Sequence, residues 1–587
     1  MMPRFIAFEA QLTHRATPHG EPETYRSCLH ILAHRISVAI ALGLVAAAAQ
    51  GQQVTGDRLV ASDQEPQNWL TYYGNYQGLR YSKLDQINAA NVGKLQMKWA
   101  FLPGMVENFQ ATPLVVDGTM YLVGSNQSVF ALDATNGQIL WRYDHKAPDK
   151  PHPTVAAFGL RSGNMRGLAA VDDRVILTTN DGRIVALEAK TGTVLWNNKV
   201  ADDQKGEGFS SPAVVVHGKA IAGIATGEFP RRAFIAAWDV KTGAEVWKFY
   251  TVPGPGEPGN ETWTGDSWKY GCGAAWIPGT YDPKLNAIYF GTGNPCPMWS
   301  GGSRTGDNLF TNSIVALDPD TGTKKWHFQV VPHDLWDVDA IGEPMLVDTS
   351  IAGKQVKLAL HASKHGYLYA LDRETGRFLY AKAFSPHITW SSGVDPQGRP
   401  IPANMAGKEA ALLCPSATGG AKSWHHMAYS PQTELVYLPV TDTCDKIKLA
   451  AVNPEEGKVF MGGEWVGAEG KGGMIVAIDA KTGETVWTHP SERPIRTSSL
   501  ATAGGVLFSG DMYGHVIALD AKSGKDLWTF HTGSVPMTSM TYSVNGKQYV
   551  ATSVGWGGVD ANFTPYAIPE LATIPRSAAL FVFGLPE

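Results

Sequence analysis

At 587 residues the chain exceeds what one hydrophobic core usually holds, so it needs either several domains or a repeat architecture. Charged residues make up 18 % and the formal net charge is −5, which excludes the basic footprint of a nucleic-acid binder. With 63 glycines and 18 tryptophans, the composition describes a folded, turn-rich chain with recurrent aromatic packing.

In chain order the first feature is an apolar run over residues 36–49, preceded by Arg35 and ending in Ala46-Ala47-Ala48-Ala49. It is too short to span a bilayer and fits the apolar stretch of a secretory signal, with a cleavage site near Gln50. An ordinary buried helix and an uncleaved anchor are the alternatives. The expectation is a leader over 1–49, a mature domain over 50–587 and export to the periplasm. Cys28 falls in the leader, leaving Cys272, Cys296, Cys414 and Cys444, an even set that permits one or two disulfides. There is no Cys-x-x-Cys-His for a covalently attached haem and no Cys-x-x-Cys zinc pattern.

One repeat then organises the chain: Ala-aliphatic-Asp, a Gly four residues on, and an aromatic four further. It reads ALDATNGQILW from Ala131, ALEAKTGTVLW from Ala186, AWDVKTGAEVW from Ala237 and ALDPDTGTKKW from Ala316. It continues as ALDRETGRFLY from Ala370, AIDAKTGETVW from Ala477 and ALDAKSGKDLW from Ala518. Each copy predicts a strand, an Asp-x-x-x-Gly turn and a second strand ending in an aromatic for packing between sheets. The spacing of about fifty residues suits one four-stranded blade. The interval from Ala370 to Ala477 is twice as long, which places a blade without the signature there, including the strand-like MAYSPQTELVYLPV over residues 427–440. The expectation is an all-β, eight-bladed β-propeller.

These repeats, and the segments between them, resemble the quinoprotein alcohol dehydrogenases, the family of methanol and ethanol dehydrogenases. The resemblance runs from NWLTYYGNYQGLRYSKLDQIN at Asn68 to TYSVNGKQYVA near the C-terminus. It implies pyrroloquinoline quinone as cofactor, whose three carboxylates need cations and hydroxyl donors. Arg166 in SGNMRGLA matches the arginine on a cofactor carboxylate, Ser210 in FSSP a hydroxyl donor, and Trp276 in GCGAAW the platform under the ring. Lys364 in ASKHGYLYALDR matches the cation at the reactive quinone oxygens, and Trp424 in KSWHH is assigned to the cofactor as well. Glu228 in TGEFPRR, Asn294 in GTGNPCP and Asp337 in PHDLWDVDA match the metal ligands, all oxygen donors suited to Ca²⁺. Asp337 also matches the base that takes the hydroxyl proton as hydride leaves the substrate. Asp339 resembles the extra carboxylate of lanthanide-dependent members, although propeller glucose dehydrogenases share the WDxD pattern, so Ca²⁺ and a lanthanide both stay open. With no haem motif here, a soluble cytochrome c is the implied electron acceptor; a homodimer is left open. Cys414–Cys444 resembles a structural disulfide of the family, and Cys272 and Cys296 could pair across the pocket.

The sequence also departs from the family. Leu160-Arg161 stands where two adjacent cysteines usually cover the cofactor, Gln110 in NFQATP stands for a Glu, and Ser423 stands where Asn often precedes Trp424. His333, His425 and His426 are further pocket candidates. Beside an alcohol dehydrogenase, a sugar or polyol dehydrogenase and a non-catalytic propeller scaffold are the competing readings. The scaffold reading predicts repeats without the site residues.

Overall fold

The computed structural model describes residues 53–587, apart from 106, 147, 161 and 404–411. The apolar run 36–49, Cys28 and Arg161 lie outside the described residues. Among them α-helix is confined to α1 (Gly56–Val60), α2 (Pro153–Ala157) and α3 (Gly558–Ala567). No described helix is long and apolar enough to cross a membrane. The rest is strand, turn and short 3₁₀ helix.

Most strands form antiparallel sheets of four or five, with Tyr81–Ser82 added in parallel to Leu500–Thr502. Leu114–Val116, Thr119–Val123, Ser128–Asp133 and Ile139–Asp144 lie side by side in that order, the first three buried and the fourth largely exposed. Sheets built the same way open with Ala169–Val171, Val214–Val216, Thr280–Asp282 and Met345–Ile351. Two more open with Ala428–Ser430 and Leu500–Thr502. This is the all-β propeller class that the repeats predict.

The repeat's residues each have a visible job. Asp133 Oδ1 accepts from Thr135 N at 2.7 Å, and Asp239 and Asp479 bind their own turns in the same way. The turn glycines sit at positive φ, +77° at Gly137 and +72° at Gly524, where a side chain is strained. Each repeat aromatic except Trp528 then docks on the next sheet's turn. Trp141 lies over Gly192 and donates from Nε1 to Ala189 O at 2.9 Å. Trp247 covers Gly322, with Nε1 on Pro319 O at 2.9 Å, and Trp326 covers Gly376. A Cβ added at Gly192 would come within 2.5 Å of the indole, so the glycine is needed for close approach as well as for φ. Tyr380 docks over Gly483 and donates to Ala480 O at 2.6 Å, which makes the sheets of Ala370 and Ala477 direct neighbours.

That contact corrects the expected position of the sheet without a signature. Residues 427–440 fall in Ala428–Ser430 and the start of Leu435–Leu449, in the same sheet as the repeat at Ala477. The interval is long because Leu435–Leu449 and Gly463–Asp479 are extended strands of 15 and 17 residues. A two-stranded ribbon, Ser391–Val394 with Pro400–Pro402, lies in it too. The unsigned sheet is built from both ends of the described chain: Gln96–Phe101 pairs with Ala579–Gly584, followed by Lys547–Val554 and Pro536–Val544. No tight turn joins its two outermost strands, so no Asp-x-x-x-Gly can be written there. Trp99 in Gln96–Phe101 nevertheless docks over Gly137, and Trp528 meets Phe583 at 5.1 Å on the other side.

Candidate active site

The predicted site residues recur at equivalent places in successive sheets. Gln110, Arg166, Ser210, Trp276 and Trp424 each lie three or four residues before an innermost strand. Glu228, Asn294 and Lys364 follow second strands, Lys219–Gly223, Ala287–Gly291 and Lys354–Ala362. In an antiparallel pair the start of one strand and the end of the next share an edge. All of these residues therefore reach one end of the sheets. Gln110, Arg166, Ser210, Glu228, Trp276, Asn294, Asp339, Lys364 and Trp424 line one cavity of ≈ 1120 Å³, its open mouth included. Asp337 is set back from the wall and contacts Lys364.

The cofactor-type residues leave unmet hydrogen bonds. Arg166 is buried, with its guanidinium 5.1 Å from the Trp276 ring and 4.9 Å from that of Trp424. Its Nη1 donates to Ser210 O at 3.2 Å, while Nε is buried without a partner. Burial lowers its pKa to about 10 against the pull of Tyr72 and Asp560, so it stays a cation at neutral pH. Gln110 Oε1 is likewise buried and unpaired. An unmet donor and acceptor cost about 1–3 kcal/mol each, a penalty that a polar ligand relieves. A flat quinone bearing carboxylates fits this wall of indoles, one guanidinium and one amide.

The carboxylates form the opposite wall. Asp334 caps Trp336 N at 2.8 Å and Val338 N at 3.1 Å, holding a turn in which Asp337 takes φ +58°. Lys364 Nζ lies 2.9 Å from Asp339 Oδ2 and 3.3 Å from Asp337 Oδ2, and donates to Ala417 O at 3.1 Å. Asn294 N donates to Asp339 Oδ1 at 2.8 Å, and a side chain at Gly293 would collide with that carboxylate. Burial lowers the Lys364 pKa, but the charges of Asp337 and Asp339 outweigh it and raise the net value. Burial pushes Asp337 well above the carboxylate range, with Lys364 opposing and Asp339 adding. Burial and then Asp339 push Glu228 up to about 7. Among the described residues no three His, Cys, Asp or Glu are gathered tightly enough to hold an ion by themselves. The hard oxygen donors Glu228, Asn294 and Asp339 nevertheless share one wall, and their crowded negative charge suits a hard cation.

Both cysteine pairs are bonded, Cys272–Cys296 and Cys414–Cys444. The first staples the GCGAAW segment to GTGNP, where Gly273 N also donates to Asn294 O at 3.0 Å. None of the three candidate histidines is on the cavity wall. His333 binds Gly306 O, His425 packs 4.1 Å from the Trp424 ring, and His426 sits between Glu343 and Tyr72. Leu160 and Ser423 do line the cavity. So do Phe158, Val155, Asn180, Val559 and Asp560, which the sequence reading missed. Asn180 follows the strand Arg174–Thr178, and the other four come from α2, α3 and their flanks; none carries a motif.

A propeller in which a cavity gathers two indoles, a guanidinium and crowded carboxylates has the architecture of a quinone-dependent dehydrogenase. The family model described as glucose/ethanol/alcohol dehydrogenase, beta-propeller domain, matches residues 69–382. A second, described as outer membrane protein assembly factor BamB, matches 471–560, where the last two repeats lie. The quinoprotein alcohol dehydrogenase PedH of Pseudomonas putida is 36 % identical over 583 residues, covering 94 % of this chain and 96 % of its own. The lanthanide-dependent methanol dehydrogenase of Methylorubrum extorquens is 35 % identical, covering 89 % and 92 %. The solved structure of a europium-containing methanol dehydrogenase has a TM-score of 0.84 at 32 % identity, covering 90 % of this chain and all of that one. The chain belongs to the pyrroloquinoline quinone-dependent alcohol dehydrogenase family, a family of oxidoreductases.

Proposed function

We propose that this protein is a periplasmic quinoprotein dehydrogenase that oxidises an alcohol to an aldehyde by hydride transfer to metal-bound pyrroloquinoline quinone. In this reading a leader over 1–49 precedes one propeller domain over 50–587, with eight blades corresponding to the eight sheets of four or five strands. The carrying observation is the shared cavity: residues from motifs up to about 300 positions apart converge on it with unmet polar groups and perturbed carboxyls. When bound, the quinone supplies the two-electron, hydride-accepting centre.

The chain's own residues supply the rest. Arg166, Gln110 and Ser210 would hold polar edges of the cofactor, and the Trp276 and Trp424 indoles would pack on its ring. Glu228, Asn294, Asp337 and Asp339 would hold Ca²⁺ or a lanthanide through their oxygens, with the Lys364 ammonium beside them. Lys364 would supply positive charge beside developing oxyanion density. Asp337 would take the substrate hydroxyl proton, and general-base help of this kind is worth roughly 10²–10⁴ in rate. Val155, Phe158, Leu160 and Val559 give the cavity an apolar side, which favours an alcohol with a carbon tail over an aldose. Electrons leave to a separate soluble cytochrome c.

The test is reconstitution of purified protein with the quinone and Ca²⁺ or La³⁺, followed by dye-linked oxidation of alcohols and aldoses. Turnover on alcohols with bound quinone absorbance is expected. A protein that binds no quinone and turns over neither class overturns the reading and favours a scaffold.

A further inference from the structure

The cavity is joined to the protein surface by a run of aromatic rings that alcohol oxidation itself does not use. Phe158 lines the cavity, and its ring meets Phe563 of α3 edge-on with centroids 6.0 Å apart. Phe563 meets Trp465 at 6.3 Å, and Trp465 meets Tyr566 at 4.7 Å. Tyr566, the outermost ring of the series, is 65 % exposed. The run is braced: Asn562 Nδ2 donates to Phe158 O at 2.9 Å, and Arg576 holds Asn562 Oδ1 at 2.7 Å and the buried carboxylate of Glu107.

Oxidising one alcohol to an aldehyde leaves two electrons and two protons in the site. A protein acceptor is too large to enter a cavity of this size, so electrons must cross from the cavity to the surface. Closely packed rings carry an electron far better than a gap of water. Of the possible occupants of this surface, an electron carrier is the one that the buried part of the run serves; a structural partner would need only its exposed end. Electron-transfer encounters also use the smallest interfaces, for which one exposed ring and its surround suffice.

We propose that Tyr566 and Trp465 form the docking surface for a haem protein that accepts one electron at a time, with Phe563 and Phe158 as the bridge to the cavity. Two acceptor molecules are each reduced by one electron per alcohol oxidised, and the two protons go to solvent. This rests on the function proposed above.

The experiment compares two acceptors on the quinone- and metal-loaded protein: mitochondrial cytochrome c, and the small dye phenazine methosulfate, which enters the cavity. Tyr566→Ser and Trp465→Leu are expected to slow cytochrome reduction about tenfold or more while the dye rate stays within about twofold of the unaltered protein. Tyr566→Phe keeps the ring and is expected to keep the cytochrome rate. Equal losses with both acceptors mean a structural role and overturn the proposal, as do unchanged cytochrome rates in both variants. A dimer that Tyr566→Ser dissociates, with cytochrome reduction intact, also overturns it by assigning the surface to a second copy. If the unaltered protein reduces neither acceptor, the function proposed above fails first, and this inference fails with it.

Discussion

Asp339 carries more of the site than any other single side chain: it accepts from Asn294 N, pairs with Lys364, and raises Glu228. An additional carboxylate at a cation site favours a trivalent ion. Asp339→Ala is therefore expected to abolish La³⁺-supported activity and spare Ca²⁺-supported activity, measured by dye-linked assays after loading with each ion; an unchanged metal preference counts against it. Glu228 gives a pH prediction. Its folded pKa of about 7 lies above its unfolded value, so its contribution to stability is complete below about pH 4.5 and is lost as pH rises through about 7. The metal-free protein should gain on the order of 1–2 kcal/mol between pH 8 and pH 5 from this group, discounted for its place on a cavity wall. Metal affinity should move the other way, weakening below pH 7 because protons compete for the same oxygen. Denaturant melts in chelator should show the pH effect in the unaltered protein and a reduced one in Glu228→Gln. Equal pH dependence in both would reject the assignment. At this scale the sequence was informative where a motif carried a residue, as in GTGNP and PHDLWDVDA. It was silent on Lys364 lying between two carboxylates, because that contact depends on where separate turns meet.

The repeat unit couples a turn to a packing surface. Gly524 needs φ +72° and also lies under Trp487, where an added Cβ would meet the indole at 2.6 Å. Gly524→Ala is expected to destabilise by about 2–4 kcal/mol, backbone strain and overpacking together, and to lower the thermal midpoint measured by circular dichroism. Gly533→Ala serves as the control: φ there is also positive but no neighbour lies near the added carbon, so a smaller loss of about 1 kcal/mol is expected. If the two variants lose the same, docking contributes nothing beyond φ. The strand–turn–strand reading came directly from period and turn chemistry, and each of the seven copies forms that hairpin. The 370–477 interval was misassigned because a missing signature and an unusually long hairpin look alike in sequence.

Across the whole molecule, the sheet of Gln96–Phe101 and Ala579–Gly584 joins the two ends of the described chain by backbone hydrogen bonds. Deleting the chain after Ser577 removes Ala579–Gly584, strips both of its neighbours of a partner, and uncovers the face of Trp528 that packs on Phe583. A loss of about 10 °C or more in thermal midpoint, with broadened unfolding, is expected on differential scanning calorimetry. A truncated protein that melts like the full chain would show that this closure contributes little. The sequence by itself determined the propeller class, the hairpin in each repeat, the family-type side chains and both cysteine pairs as candidates, since these depend on local period, turn chemistry and residue identity. Only the tertiary structure decided which sheet closes on the chain's ends and that strand starts and strand ends bring the scattered motifs to one edge. It also decided that α2 and α3 supply the apolar side of the cavity. Those outcomes depend on contacts between residues hundreds of positions apart, and no local pattern encodes such distances.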